Sequence, residues 1–365
     1  MKICFFGPST SAHMVKWCKW FATRGHEVHV VSFSHAPIEG VNMHHIDTGA
    51  DIRGADFQKI RYFFGVNQAK KTIADIDPDI INVHYASSYG TVAALLGLKK
   101  YVLSMWGSDI FSLPRKSIIH KKLLQFSLNH APHLFSTSKA MAQEARKYVD
   151  KKIVITPFGV DLKMFSPQKR VKNEGTFVIG TVKAVDKKYG IDYLLQAVAL
   201  VKEERPDIPV QLRIAGKGDK KEEIELMNLC ADLGIESIVK WLGFISQEEA
   251  AVEWANFDVA VVYSTVQESF GVSAVEAQAS GVPLIISDSL GLLEATDVGE
   301  SSVSLPKENA KLLAETLIKL YDSPSVREKM GIKGRLFVED NYELNDCFLK
   351  IESFFNDIVD DNQCN

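Results

Sequence analysis

Short apolar runs alternate with amphipathic segments along the whole chain, and this alternation limits the available folds more than any other feature. Lys2–Phe6 is an apolar run that ends in Gly7-Pro8-Ser9-Thr10-Ser11. A helical stretch, Ala12–Thr23, follows and is closed by Gly25, and residues 27–33 form a second, Val-rich run. Two extended segments joined by a helix in so few residues must lie parallel, with the helix as a right-handed crossover. The pattern then predicts a helix at 58–74, strands at 79–84 and 101–105 with a small-residue helix at 87–96 between them, helices at 114–129 and 139–148 around a strand at 133–137, and a last strand at 152–155. Ser138 is placed to cap the helix at 139–148.

The segment Ile155-Thr156-Pro157-Phe158-Gly159-Val160-Asp161, followed by Phe165-Ser166-Pro167 and polar residues up to Gly175, reads as a domain boundary. Beyond it the alternation restarts. Strands are expected at 176–182, 210–215, 239–242, 257–263 and 283–286. Helices are expected at 191–204, 220–233, 247–256 and 273–279, with three more at 310–321, 326–338 and 344–358. The fold class is therefore α/β, with two Rossmann-like parallel-sheet domains at 1–160 and 161–340. A C-terminal helix in 341–365 is expected to return to the first domain. At 365 residues the chain is long enough for both domains.

Composition removes several functions. There is no Gly-x-Gly-x-x-Gly after the first strand, so a dinucleotide cofactor is not expected there. No apolar run reaches the length of a membrane span, and the N-terminus reads as a strand rather than a leader. The five cysteines, Cys4, Cys18, Cys230, Cys347 and Cys364, are scattered without a Cys-x-x-Cys pair, so free thiols in a reducing, cytoplasmic compartment are expected and a zinc site is not. The net charge of −4 is split. Residues 1–165 carry +9 and the remainder −13, so the halves face different partners or attract one another.

The stretch Glu268-Ser269-Phe270-Gly271-Val272-Ser273-Ala274-Val275-Glu276-Ala277-Gln278-Ala279-Ser280-Gly281-Val282-Pro283 holds the most chemistry. It reads as a loop entering a helix that Gly281 and Pro283 end. Free N–H groups and the helix dipole at that entry suit a phosphate, and Gly271 allows close backbone approach. Glu268 and Glu276 flank the loop and would repel a phosphate, so they suit sugar hydroxyls. Upstream, the loop after the strand at 176–182 carries Lys183, Lys187 and Lys188. Lys183 and Lys188 are spaced to reach one phosphate from two sides of a loop, at the strand end where open α/β sheets bind ligands.

The wording of these stretches resembles that of the retaining glycosyltransferases of family 4, which have the GT-B fold. The resemblance covers nearly the whole chain and is strongest over 152–287. It implies two Rossmann-like domains facing across a cleft, a nucleotide-sugar donor, transfer with retention, and no metal or other cofactor. It casts Glu268 as the catalytic carboxylate by the donor sugar and Glu276 as the ribose ligand. The amides of Ser269, Phe270, Gly271 and Val272 would hold the diphosphate. Lys183, Lys188, Gly216 and Phe244 complete the donor set, and Gly7, His13, His84 and Asp109 form the acceptor side. Glycan or lipid-linked saccharide acceptors, as in cell-surface polysaccharide synthesis, are the implied partners, and nucleic acid is not expected. Three positions depart from the family pattern: Lys183 where Arg is common, Trp106 where His commonly precedes Gly-Ser-Asp, and Phe158 where Asn is usual. Tyr189 is an insertion that leaves Lys187 as an alternative to Lys188. Arg115, Lys116, Lys121 and Lys122, interleaved with Ile118, Ile119 and Phe126, suggest reversible docking on an anionic membrane surface at the cytoplasmic face. Two other classes fit less of the pattern: a GT-B sugar-nucleotide epimerase, and a non-catalytic sugar-binding or partner subunit, which should lack one of the Glu residues or loop cations.

Overall fold

The computed structural model describes residues 1–49, 56–171 and 175–363. The chain divides into two units, one of residues 1–158 together with 347–365, the other of residues 159–346. The expected boundaries at 160 and 340 lie a few residues away; the second shifts because the helix that crosses position 340 continues unbroken to Tyr342. Residues 172–174 of the expected boundary segment lie outside the described residues.

The first unit is built from β1 (Lys2–Phe6), α1 (Ala12–Thr23), β2 (Glu27–Ser32), β3 (Asn42–His45), α2 (Val66–Ile76), β4 (Ile80–His84), α3 (Ser88–Leu96), β5 (Tyr101–Met105), α4 (Ser108–Phe111), α5 (Leu113–Lys116), α6 (Ile118–His130), β6 (His133–Ser136), α7 (Lys139–Ala145) and β7 (Ile153–Ile155). Its seven strands are parallel in the order β3-β2-β1-β4-β5-β6-β7. β4 and β5 are buried along their full length, because helices cover both faces of a parallel sheet.

The second unit comprises β8 (Phe177–Val182), α8 (Ile191–Glu204), β9 (Val210–Ala215), α9 (Lys220–Asp232), β10 (Val239–Gly243), α10 (Gln247–Ala255), β11 (Val259–Val262), α11 (Val272–Ala279), β12 (Leu284–Ser287), α12 (Leu290–Ala295), β13 (Ser302–Leu305), α13 (Ala310–Tyr321) and α14 (Pro324–Tyr342). Its parallel sheet has the order β10-β9-β8-β11-β12-β13. α10 starts on a capping box: Ser246 Oγ accepts the Glu249 amide, and the Glu249 carboxylate accepts the Ser246 amide. A last helix, α15 (Leu344–Gln363), packs from Cys347 onward in the first unit. There Phe348 meets Trp17 and Trp20, Phe355 stacks on Phe21, and Glu352 takes a bidentate bond from Arg24 and one from His26.

Several elements differ from expectation. The helix at 58–74 is a 3-10 segment, Asp56–Gly65, followed by α2. Gly65 lies where a Cβ would strike Phe33 and Thr48, and the regular helix starts only after it. The helix at 114–129 is two, because Ser117 is extended and its hydroxyl caps α6 through the His120 amide. The helix at 139–148 ends at Ala145, and the strand at 257–263 is confined to Val259–Val262. The strands β3 and β13 and the helices α4 and α12 gave no apolar run long enough to signal them. Cys4, Cys18 and Cys230 are free and buried, and Cys347 is buried; Cys364 lies outside the described residues.

Candidate active site

In the second sheet the strand order reverses between β8 and β11, so two crossovers leave in opposite directions and open a crevice at the strand ends. Lys183 leaves β8 at this point, and Ser264 and Glu268 follow β11. Lys183 Nζ lies 2.7 Å from Glu268 Oε1, and Ser264 Oγ donates to the same oxygen at 2.5 Å. Burial pushes the Glu268 carboxyl up, but the charge and hydrogen bond of Lys183, the Ser264 hydroxyl and the charge of Lys188 outweigh it, and the group is held below the usual carboxylate range. Glu268 is therefore ionised at neutral pH. Its amide donates to Ser289 Oγ at 2.7 Å, which fixes the loop from α12.

Lys188 and Lys183 lie over the same ring, that of Tyr189, at 5.1 and 4.6 Å from its centre. Lys187 turns away to Glu225 at 2.6 Å, so of the two alternatives it is Lys188 that shares a place with Lys183. Lys188 also pairs with Asp186.

The loop from Ser269 enters α11 at Gly271, whose φ is +110°. That left-handed backbone and the nearness of Leu292 Cδ2, 2.8 Å from where a Cβ would stand, leave room for glycine only. The side chain of Phe270 is buried against Tyr342, so this residue holds the loop from inside and offers only its backbone outward. The first turn of α11 is the positive end of the helix, with the Ala274 amide bonded to the Gly271 carbonyl at 2.9 Å. Ser273 Oγ bonds back to the Val182 carbonyl at 3.0 Å, closing α11 onto β8. Glu276, one turn into α11 and half-buried, accepts the indole N–H of Trp254 at 3.3 Å. Gly216, at the end of β9, has φ +143° and sits where a Cβ would be 1.8 Å from the Lys183 carbonyl, so the β9 loop presses on the lysine loop. Phe244, after β10, is 80% exposed.

The acceptor-side candidates belong to the first unit, around its own reversal between β1 and β4. Gly7 ends β1, and a Cβ there would strike Met14 and His84. His84 is buried among Phe5, Trp17 and Trp106, and neither ring nitrogen has a hydrogen-bond partner. Burial and the nearby His13 push its pKa well below the ordinary value. His13 stacks on Phe158 at 3.9 Å, and burial with the charge of Lys16 lowers its pKa to about 4. Asp109 is buried, and its carboxylate accepts the amides of Ala86, Gly107 and Trp106. It holds the turn between β5 and α4. The indole at position 106 and the ring at 158, the two aromatic departures, thus pack against His13 and each other.

Sequence reasoning missed Ser264, Ser289 and Trp254, which bond Glu268 and Glu276; single serines and a helical tryptophan carry no pattern. It also missed Tyr85, which follows β4 with φ +72° and packs on Trp106 at 5.0 Å.

Residues 2–138 match the family model described as glycosyl transferase 4-like, and residues 163–337 the one described as glycosyl transferases group 1. Among curated relatives, a D-inositol 3-phosphate glycosyltransferase of Pseudarthrobacter chlorophenolicus is 31% identical over 56% of this chain and 50% of its own length. The enzyme of that name from Corynebacterium aurimucosum is 26% identical over 83% of this chain and 75% of its own. The match spans about half the length of the first of these relatives. Among solved structures, sucrose-phosphate synthase from Thermosynechococcus elongatus superposes with a TM-score of 0.83 at 19% identity, over 98% of this chain and 99% of that one. Anabaena HepE in complex with UDP-glucose gives 0.81 at 17% identity, over 98% and 100%. At such identities these structures establish the GT-B fold.

Proposed function

The chain belongs to the family 4-type glycosyltransferases of the GT-B fold, and from that premise we propose that it moves a sugar from a UDP- or GDP-sugar to a glycan or lipid-linked saccharide. The observation that carries this reading is the group at the β8–β11 reversal: an ionised Glu268 on Lys183, with Lys188 over the same ring, beside the N-terminus of α11. One negative group and two positive groups suit a sugar joined to a diphosphate. A solved relative of the same fold, HepE, holds UDP-glucose, which supports a nucleotide-sugar donor.

In this reading the lysines and the amides of residues 269–272 bind the diphosphate and stabilise its charge as it leaves. Glu276 holds the ribose and Glu268 orients the sugar. The bond from the anomeric carbon to the phosphate oxygen breaks, the bond to the acceptor oxygen forms on the same face, and the departing phosphate oxygen takes the acceptor proton. The lysines and the helix end supply the positive charge, so the step needs no metal.

Docking on an anionic membrane forms part of the proposal. Ile118 and Ile119 at the start of α6 are 71% and 66% exposed, with Arg115, Lys116, Lys121 and Lys122 exposed around them. Phe126 is half-buried against His130, so the apolar contact would come from Ile118, Ile119 and Leu123 instead. Among the described residues no helix is long and apolar enough to cross a membrane. Each Lys or Arg near an anionic surface contributes about 1 kcal/mol, screened by salt. Vesicle sedimentation should show binding that needs anionic lipid, falls with salt, and falls again when the four basic residues become Gln; equal pelleting with neutral vesicles would remove this part.

The main test is thermal shift with a panel of UDP-, GDP- and ADP-sugars, because a ligand of the native state raises its stability by mass action. One donor should stand out and should then yield a glycosidic product with a saccharide acceptor. Hydrolysis or epimerisation alone would overturn the transfer reading.

A further inference from the structure

Tyr189 stands on the loop that carries both lysines, and nothing in the donor assignment accounts for it. The ammonium of Lys183 lies 4.6 Å and that of Lys188 5.1 Å from the centre of its ring. Each cation also keeps a carboxylate, Lys183 that of Glu268 and Lys188 that of Asp186. Two like charges on one short loop repel, and long flexible side chains separate into water unless something holds them. The face of an aromatic ring attracts cations without carrying a net charge. A third carboxylate would gather the lysines equally well but would repel the phosphate they are meant to receive.

The ring is itself held in place. The Tyr189 amide donates to the Asp186 carbonyl at 3.0 Å, and the Lys188 amide to Asp186 Oδ1 at 2.8 Å. The Lys188 carbonyl accepts both the amide and the hydroxyl of Thr265, at 2.9 and 3.1 Å. Thr265 directly follows Ser264, whose hydroxyl bonds Glu268. Backbone bonds thus tie the turn that carries the ring to the segment that carries the carboxylate, and the two lysines and Glu268 keep one geometry.

We propose that Tyr189 is a positioning residue for donor binding, its ring gathering the ammonium groups of Lys183 and Lys188 into a single site for the diphosphate of the nucleotide sugar. This rests on the reading that the pocket takes a nucleotide sugar. The ring touches the lysines and acts on the ligand only through them.

Titration calorimetry on the full chain tests it, with UDP, GDP and ADP and with the corresponding nucleosides. The Tyr189→Leu variant should bind the preferred diphosphate about 5- to 30-fold more weakly, the range expected for loss of a partly desolvated cation–π contact. Tyr189→Phe, which keeps the ring, should stay within about twofold of the unaltered chain. Affinity for the nucleoside should be unchanged in both, which a merely structural role would not produce. If the Leu variant melts early, Tyr189→Met repeats the comparison. A Leu variant that binds the diphosphate as the unaltered chain does overturns the proposal, as does a Phe variant that loses as much as Leu, or nucleoside affinity that falls in parallel. An unaltered chain that binds none of the three diphosphates overturns the nucleotide-sugar reading itself, and this proposal with it.

Discussion

The two sheets reverse their strand order in the same way and carry opposite chemistry at the reversal. At β8–β11 the side chains are charged, and each is paired with a group that a ligand could replace: Lys183 with Glu268, Lys188 with Asp186. At β1–β4 they are aromatic or neutral, with His84 caged by rings, His13 stacked on Phe158 and Asp109 absorbed by backbone amides. A parallel sheet opens a crevice at its switch point whatever its sequence. The side chains at the strand ends decide whether that crevice binds by charge or by shape. In the second unit charge prevails, because Lys183, Ser264 and Lys188 together outweigh the burial of Glu268 and keep it ionised. In the first unit burial prevails, and the imidazoles stay neutral.

The largest test of this contrast is Glu268→Gln, which keeps the shape and removes the charge. Turnover should fall by roughly 100-fold or more, the scale seen when one preorganised electrostatic contact to a transition state is lost. Steady-state kinetics with the preferred donor read this, and full activity would remove Glu268 from the chemistry. Lys183→Ala sharpens the same point through pH. With its main counter-charge gone, the Glu268 carboxyl should rise toward or above its ordinary value, so the acid limb of kcat/KM should move to higher pH. An unmoved limb would mean that Lys183 does not set the ionisation of Glu268.

Next is Glu276→Ala. Loss of a hydrogen bond to a charged group costs roughly 1.5–3 kcal/mol, or about 10- to 150-fold in donor affinity. Because Glu276 also accepts the Trp254 indole, Trp254→Phe should accompany it: a ribose ligand requires that Glu276→Ala weaken the donor far more than Trp254→Phe does. Asp109→Asn should behave in the opposite way. It places an amide donor against three backbone N–H groups and should lower stability by about 1–3 kcal/mol while leaving donor affinity unchanged. Chemical denaturation and calorimetry separate the two effects. A weakened donor with intact stability would erase the division between the two switch points.

Most of the scaffold was legible in the residues. Buried parallel strands are continuous apolar runs, and the Ser138 and Ser246 caps and the Gly281-Pro283 stop mark helix ends locally. The edge strand β3, Asn-Met-His-His, was not legible, because an edge strand needs no apolar face and its pairing with β2 is decided at a distance. In the site, Glu268, Glu276 and the glycine between them could be placed from their order along one strand–loop–helix. The partners of those carboxylates could not. Ser264 and Lys183 meet on Glu268 because β8 and β11 are neighbours, and strand order is not written in spacing. The same reason hides why His84 and Asp109, at strand ends like the lysines, are packed in: rings supplied by β1, α1 and the end of β5 surround His84, and the amides that take up Asp109 come from the ends of β4 and β5.

The smallest predicted effect bears most directly on the neutral switch point. His84 is buried with both ring nitrogens unpartnered, at 5.6, 5.1 and 4.3 Å from Phe5, Trp17 and Trp106. Its folded pKa lies well below the ordinary histidine value, pushed down by burial and the nearby His13. Below about pH 6.5 the unfolded chain takes up a proton there and the folded chain does not, so stability falls with pH by up to about 1.4 kcal/mol per unit until the folded pKa is reached. Above pH 6.5 both states are neutral and the contribution vanishes. His84→Phe removes the titration and also removes two buried nitrogens without partners, so at pH 7.5 the variant should be as stable as the unaltered chain or slightly more so. As the pH falls from 7 to 5 the unaltered chain should lose more stability than the variant. His13, with a folded pKa of about 4, adds a similar slope that both proteins share. Denaturant unfolding at a series of pH values gives the difference. Equal slopes would mean that His84 is protonated in the folded state and has water or a ligand beside it, which would make the first switch point reactive like the second.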